Sequence, residues 1–122
     1  MTLQGNAGCL ILNGDNLITV TQRFTTKLSL PGGTGQRGES AQCTAWRETK
    51  EEIGADVEVK QHLKTFSNGF HLFACDLKSK PDDNGSDWLE VASVQWKPIT
   101  EITEDNWRFP AHLTELKALF VN

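Results

Sequence analysis

The sequence predicts a single α/β (α+β) domain in which a β-sheet packs against helices, and three observations carry that prediction. Short runs of alternating apolar and polar residues recur between clusters of Gly, Pro, Asn and Asp, as strands and their turns require. The stretch from Ala41 to Ile53 instead carries its apolar residues at helical spacing, behind a serine able to cap it. A second helical pattern closes the chain. A chain of 122 residues has room for one core, so residues 1–122 are read as one domain, with no internal repeat or linker.

Taken in order, Ala7 to Leu12 is apolar, Asn13-Gly14-Asp15-Asn16 has strong turn chemistry, and Leu17 to Gln22 alternates. This reads as a β-hairpin with Ile18 and Val20 on one face and Thr19 and Thr21 on the other. Lys27 to Leu30 reads as a short strand, stopped by Pro31-Gly32-Gly33 because Pro31 fixes φ and has no N–H to donate. Ser40 then offers an N-cap, the helix over 41–53 sets Ala45, Trp46, Thr49 and Ile53 on a packed face, and Gly54 can end it. Val57 to Phe66 and Phe70 to Leu77 form a second predicted hairpin through Ser67-Asn68-Gly69. Lys78 to Asp87 is a polar loop, and Val91 to Trp96 a further strand before Pro98. Pro110 to Phe120 reads as an amphipathic helix with Leu113, Leu116, Leu119 and Phe120 at helical spacing.

The net charge of −4 and a pI near 5.3 argue against a broad basic surface for nucleic acid. They leave room for a small phosphorylated ligand, because a bound metal can locally invert the field. Cys9, Cys43 and Cys75 are odd in number and far apart, with no CxxC pair, so reduced thiols are expected. No stretch approaches the ~18 apolar residues of a membrane span, and the N-terminus lacks a basic, apolar leader; a cytoplasmic address without membrane partners is expected. Oligomeric state is not legible.

The chemistry concentrates between Gly33 and Ala55. On a helix, Glu48, Glu51 and Glu52 stand at i, i+3 and i+4 and share one face. Like charges so arranged disfavour the helix by a few tenths of a kcal/mol per pair unless a cation lies between them. A hard divalent ion such as Mg²⁺, with Mn²⁺ as a substitute, suits an all-oxygen site.

Gly33, Glu39, Arg47, Glu48, Glu51, Glu52 and Gly54 together match Gly-x5-Glu-x7-Arg-Glu-U-x-Glu-Glu-x-Gly-U, which resembles the Nudix box. Seven fixed positions at roughly 7% each recur by chance on the order of 10⁻⁸ per starting point. Thr49 stands where the pattern has an aliphatic residue, and Ala55 is small for its place. The preceding KLSLPGG strand, the flanking hairpins and the closing helix extend the resemblance over nearly the whole chain. It implies a Nudix-type α/β/α sandwich with a mixed sheet and a carboxylate-bearing helix. It also implies hydrolysis of a nucleoside diphosphate linked to another moiety.

The same resemblance implies that Glu48, Glu51 and Glu52 ligate Mg²⁺ with the Gly33 carbonyl, that Glu39 assists through water or a second metal, and that Arg47 orients the box glutamates. Arg47 and Glu51 are also spaced i, i+4, which allows an ion pair. Such an ion neutralises the repelling phosphate oxygens, and a carboxylate takes the proton from the attacking water. Glu51, Glu52 or an acid after Leu77 fills that role; similarity to MutT-type members points to Glu90 as an assisting carboxylate.

A nucleobase needs an aromatic face and a few directional polar groups, for which Phe24, Phe70, His71, Trp107 and Phe109 are candidates. Arg23 and Lys27 are near enough to the Pro31-Gly32-Gly33 turn to meet phosphates. The segment from Asn106 to His112 resembles the FPxAN region of MutT-type members, with His112 near the base-reading asparagine. A (d)NTP cleaved to (d)NMP and pyrophosphate is therefore the expected substrate. Hydrolysis of another nucleoside diphosphate-X compound, such as a dinucleotide or nucleotide sugar, and a nucleotide-sensing module without turnover are the alternatives.

Overall fold

The computed structural model describes residues 3–82 and 91–120. Strands β1 (Ala7–Leu10), β2 (Leu12–Asn13), β3 (Asn16–Gln22), β4 (Leu28–Ser29) and β5 (Gly32–Gly33) precede helix α1 (Ala41–Ile53). Strands β6 (Val57–Thr65), β7 (His71–Leu77) and β8 (Val91–Pro98) follow, then 3₁₀ turns at Ile99–Glu101 and Pro110–His112, and helix α2 (Leu113–Ala118).

The strands form two four-stranded sheets where the sequence suggested one. The first has the order β5-β1-β7-β6 and is mixed, β1 running parallel to β7 and the other pairs antiparallel. The second is antiparallel around β3, which pairs with β2, β4 and β8. The division falls at Ile11. The predicted hairpin over 7–22 therefore pairs only near its tip, Leu12 opposite Leu17 and Asn13 opposite Asn16, while Ala7–Leu10 joins the other sheet. Ile18 and Val20 share one face as expected, and the opposite face, which carries Thr19, is closed as well. Thr19 is fully buried, and its hydroxyl donates to the Gln95 carbonyl at 3.1 Å.

Burial on both faces explains the difference, since successive side chains enter different cores. Cys9, Ile11, Ile18 and Val20 pack with Ala41, Ala45 and Ile53 of α1. Leu10 and Leu17 pack with Leu72, Trp107, Leu113 and Leu116 on the α2 side. The result is the expected α/β/α layering. Gly8 permits its tightest point: a Cβ there would lie 2.3 Å from the Pro31 carbonyl oxygen.

Helix α1 starts and stops as its sequence dictates. Ser40 is extended and its Oγ accepts from the Cys43 N–H at 3.1 Å, while Gly54 (φ 68°) ends the helix with its N–H on the Lys50 carbonyl. Ala45, Thr49 and Ile53 are buried as predicted, but Trp46 is exposed. Its indole donates to Asp56 at 2.9 Å and the Lys50 ammonium sits over its ring, so a polar handle and a cation hold it outside the core. Thr49 fills an apolar place with a hydroxyl that has no partner among the described residues. The predicted closing helix begins as the 3₁₀ turn Pro110–His112 and becomes α-helical only from Leu113.

The cysteine expectation is corrected. Cys9 and Cys75 form a disulfide (S–S 2.14 Å, Cα–Cα 5.5 Å) and Cys43 alone is a free thiol. Parallel pairing sets Cys9 opposite Phe73, two residues from Cys75, and brings together positions 66 apart. No linear spacing motif encodes that. Among the described residues no helix is long and apolar enough to cross a membrane.

Candidate active site

Two adjoining recesses meet on β5. One, of about 290 Å³, has aromatic walls from Phe66, Phe70, Trp107 and Phe109, with His112 and Asn68 at its rim. The other, of about 630 Å³, is polar and is lined by Gln22, Arg23, Phe24, Glu48 and Glu52. Gln22, Gly32, Gly33, Thr34 and Arg108 line both.

The acidic recess is built from α1 and the β5 backbone. Glu52, buried at 3% exposure, accepts from the Gly32 N–H through Oε1 at 2.7 Å, and its Oε2 lies 3.4 Å from Gln22 Nε2. Gly33 is where Glu48 settles: a Cβ on Gly33 would lie 2.5 Å from the Glu48 carboxyl carbon. Only glycine leaves room for that carboxylate against the strand.

Arg47 organises the remaining acids. Its Nε and Nη2 reach both oxygens of Glu39 at 2.8 and 2.9 Å. Nη1 reaches Glu48 at 3.2 Å and Glu51 at 3.5 Å, and Nη2 also donates to the Thr34 carbonyl at 3.1 Å. A planar guanidinium that forks onto one carboxylate while touching two more fixes the loop before α1 to the helix. Glu39 also accepts from the Gln36 N–H and the Thr44 hydroxyl. These bonds, that from Arg47 first, hold its carboxyl at about 2 against an ordinary 4.5. Arg47 is pushed upward in turn, chiefly by its hydrogen bond to Glu39.

Because Glu39 titrates lower in the folded chain than in the unfolded one, its stabilisation is complete above pH 4.5 and is lost as pH falls from there toward 2. Glu39→Gln is therefore expected to lower the urea midpoint at pH 7. The gap to the unsubstituted protein should narrow steadily in titrations carried from pH 4.5 down to pH 3. A gap that stays constant with pH would contradict this assignment.

The structure thus brings Gly33, Glu48 and Glu52 into one recess. Glu39 and Glu51 line neither recess, both being engaged by Arg47. Among the described residues no three acidic, histidine or cysteine side chains form a ready ligand cluster; Arg47 instead pairs with Glu39, Glu48 and Glu51. The donors that do converge, two carboxylates beside bare strand backbone, are the hard oxygen set a divalent cation takes. Glu90 lies outside the described residues.

Of the substrate candidates, Phe70, Trp107, Phe109 and His112 line the aromatic recess, and Arg23 and Phe24 the acidic one. Lys27 lines neither; its ammonium is bound to the Asp105 carbonyl. His71 is structural, buried between the Gln4 carbonyl, Thr65 and His62. Sequence reasoning missed Arg108, which stands in both walls with its guanidinium 5.0 Å from the Phe109 ring. Its place between Trp107 and Phe109 was the available signal.

Residues 2–117 match the NUDIX domain family model. Nudix hydrolase 8 of Arabidopsis thaliana is 29% identical over 114 residues, an alignment covering 83% of this chain and 31% of that protein. The chain therefore spans about a third of that relative's length. Among solved structures, a UDP-X diphosphatase superposes with a TM-score of 0.82 at 21% identity, covering 98% of this chain and 62% of that one. An ADP-ribose pyrophosphatase from Streptococcus suis gives 0.76 at 21% identity, covering 93% and 86%. A MutT protein from Bacillus halodurans gives 0.69 at 21% identity, covering 98% and 84%.

Proposed function

The chain belongs to the NUDIX domain family, and from that premise we propose that it hydrolyses a pyrophosphate bond in a nucleoside diphosphate-X compound, with a (d)NTP giving (d)NMP and pyrophosphate. The observation that carries this reading is the adjoining pair of recesses. An aromatic one suited to a base opens, across the Gly32-Gly33 backbone, onto an acidic one suited to metal and phosphate.

In this reading Glu48, Glu52 and the Gly33 carbonyl would hold a Mg²⁺ ion, and Glu51 would join them by leaving its contact with Arg47. When bound, the ion supplies charge neutralisation across the phosphate oxygens. The chain supplies the rest. Phe70, Trp107 and Phe109 seat the base, while Arg23 and Arg108 draw the phosphates over β5. Water attacks phosphorus, the anhydride P–O bond breaks with its electron pair leaving on pyrophosphate, and Glu52 takes the water's proton. Glu52 is preferred to Glu51 for this step because it is buried at the recess floor, whereas the Glu51 side chain is 49% exposed. Arg47 and Glu39 hold the loop and helix in register.

The test is a panel of NTPs, dNTPs, ADP-ribose, nucleotide sugars and dinucleoside polyphosphates, each assayed with and without Mg²⁺. Mg²⁺-dependent release of pyrophosphate from a nucleoside triphosphate is expected. Cleavage confined to the other classes would move the substrate assignment. Tight nucleotide binding with no turnover anywhere would replace hydrolysis with sensing.

A further inference from the structure

At the rim of the aromatic recess lies a side-chain cluster that hydrolysis itself does not use. His112 lines the recess, and its Nδ1 sits 2.9 Å from Glu115 Oε2 and 3.1 Å from Ser67 Oγ. Glu115 is itself anchored. The Ser67 N–H donates to Oε1 at 3.2 Å, the Ser67 hydroxyl donates to Oε2 at 3.0 Å, and Lys64 Nζ stands 3.8 Å from Oε1. The His112 hydrogen bond first, then those of Ser67 and the charge of Lys64, hold the Glu115 carboxyl below its usual range.

An ionised carboxylate can only accept, so the proton between the two groups belongs to Nδ1. In the neutral imidazole the other nitrogen then carries a lone pair, and which tautomer exists is set by the partner of the first nitrogen. Nε2 has no partner among the described residues, while its ring faces a recess already walled by Phe70, Trp107 and Phe109. Phe66 packs edge-on at 6.4 Å and limits rotation of the ring.

We propose that His112, fixed by Glu115, is a hydrogen-bond acceptor that selects nucleotides whose base presents an exocyclic amino group. This rests on the nucleotide reading given above. A carbonyl at the same place would set its lone pairs against that of Nε2. A base with only hydrogen there would leave Nε2 buried without a partner. Glu115 is a positioning residue, acting only through the tautomer it imposes.

The test uses pairs that differ only by the amino group: dATP against the deoxynucleoside triphosphate of unsubstituted purine, and dGTP against dITP. The ratio of kcat/KM within each pair is measured. Binding of the matching monophosphates to Mg²⁺-free protein is followed by tryptophan fluorescence. The amino-bearing member of at least one pair is expected to be favoured about tenfold, the worth of one neutral hydrogen bond. In His112→Phe, which keeps a flat ring and removes the acceptor, that ratio falls to about one. In Glu115→Ala, which frees the other tautomer, it falls as well.

Equal handling of both pairs by the unsubstituted protein overturns the inference, and so does a ratio that survives in either variant. Failure to bind any of the monophosphates overturns it too. Selective binding of the amino-bearing monophosphate without turnover of any triphosphate would support this inference and remove the hydrolytic reading.

Discussion

Glu52→Gln is expected to lower kcat with a nucleoside triphosphate by about 10³-fold, within the range for losing a positioned general base. The protein should otherwise remain intact. Glutamine keeps the volume and a carbonyl oxygen for the Gly32 N–H, which the carboxylate accepts at 2.7 Å, so the floor of the recess survives. What disappears is the negative charge and the ability to take a proton. Both matter to the proposed reaction, in which this carboxylate draws in the divalent ion and removes the proton from the attacking water. The expected signature is therefore a collapse of kcat, a far smaller change in melting temperature, and weaker Mg²⁺ affinity. Glu51→Gln serves as the comparison. Its side chain is half exposed and touches Arg47 at 3.5 Å, so its loss should cost less. A Glu52→Gln protein that keeps a tenth or more of the original rate, or a Glu51→Gln protein that loses more, would transfer the role of base away from Glu52.

The contrast between these glutamates shows what the sequence makes legible. Helix α1 was readable to the residue, because Ser40 and Gly54 act within a few positions of themselves and helical periodicity places Glu48 and Glu52 on a shared face. What Arg47 does with the remaining acids was half visible. Its i, i+4 contact to Glu51 follows from spacing, but its stronger fork onto Glu39 depends on a loop path that spacing does not give. The aromatic recess was less legible still. Leu28 bridges Trp107 and accepts from the Arg108 N–H at 2.8 Å, across some 80 positions, and this pairing puts Arg108 in the wall. Lys27 was drawn away by a backbone carbonyl that became its neighbour only through the same pairing. The split of the first hairpin at Ile11 belongs to this class as well. Alternation marks two buried faces but does not reveal that consecutive strands enter different sheets.

The Cys9–Cys75 disulfide is the most consequential of these long-range features, and breaking it should destabilise the domain by about 2–4 kcal/mol. The chain-entropy argument for a loop of 66 residues gives about 4 kcal/mol, with measured losses usually smaller. For a domain of this size, 3 kcal/mol corresponds to a fall in melting temperature of about 10 °C. Cys9→Ala/Cys75→Ala should show that fall without reductant, the unsubstituted protein should show it only with reductant, and the variant should not respond to reductant at all. A thiol assay on the denatured, non-reduced protein should find Cys43 alone; three free thiols and a melting curve blind to reductant would refute the bond in solution. The consequence reaches the site because the bond clamps β7 to β1, and β1 carries β5. Cys9 donates its N–H to the Pro31 carbonyl at 3.0 Å, and Ala7 and Gly8 pair with Gly33 and Gly32. Gly32 bonds Glu52 through its N–H, and the Glu48 carboxylate lies against Gly33. Loosening β1 therefore loosens the backbone against which both carboxylates are set. Reduction should lower activity at temperatures where the fold, followed by far-UV circular dichroism, is still intact.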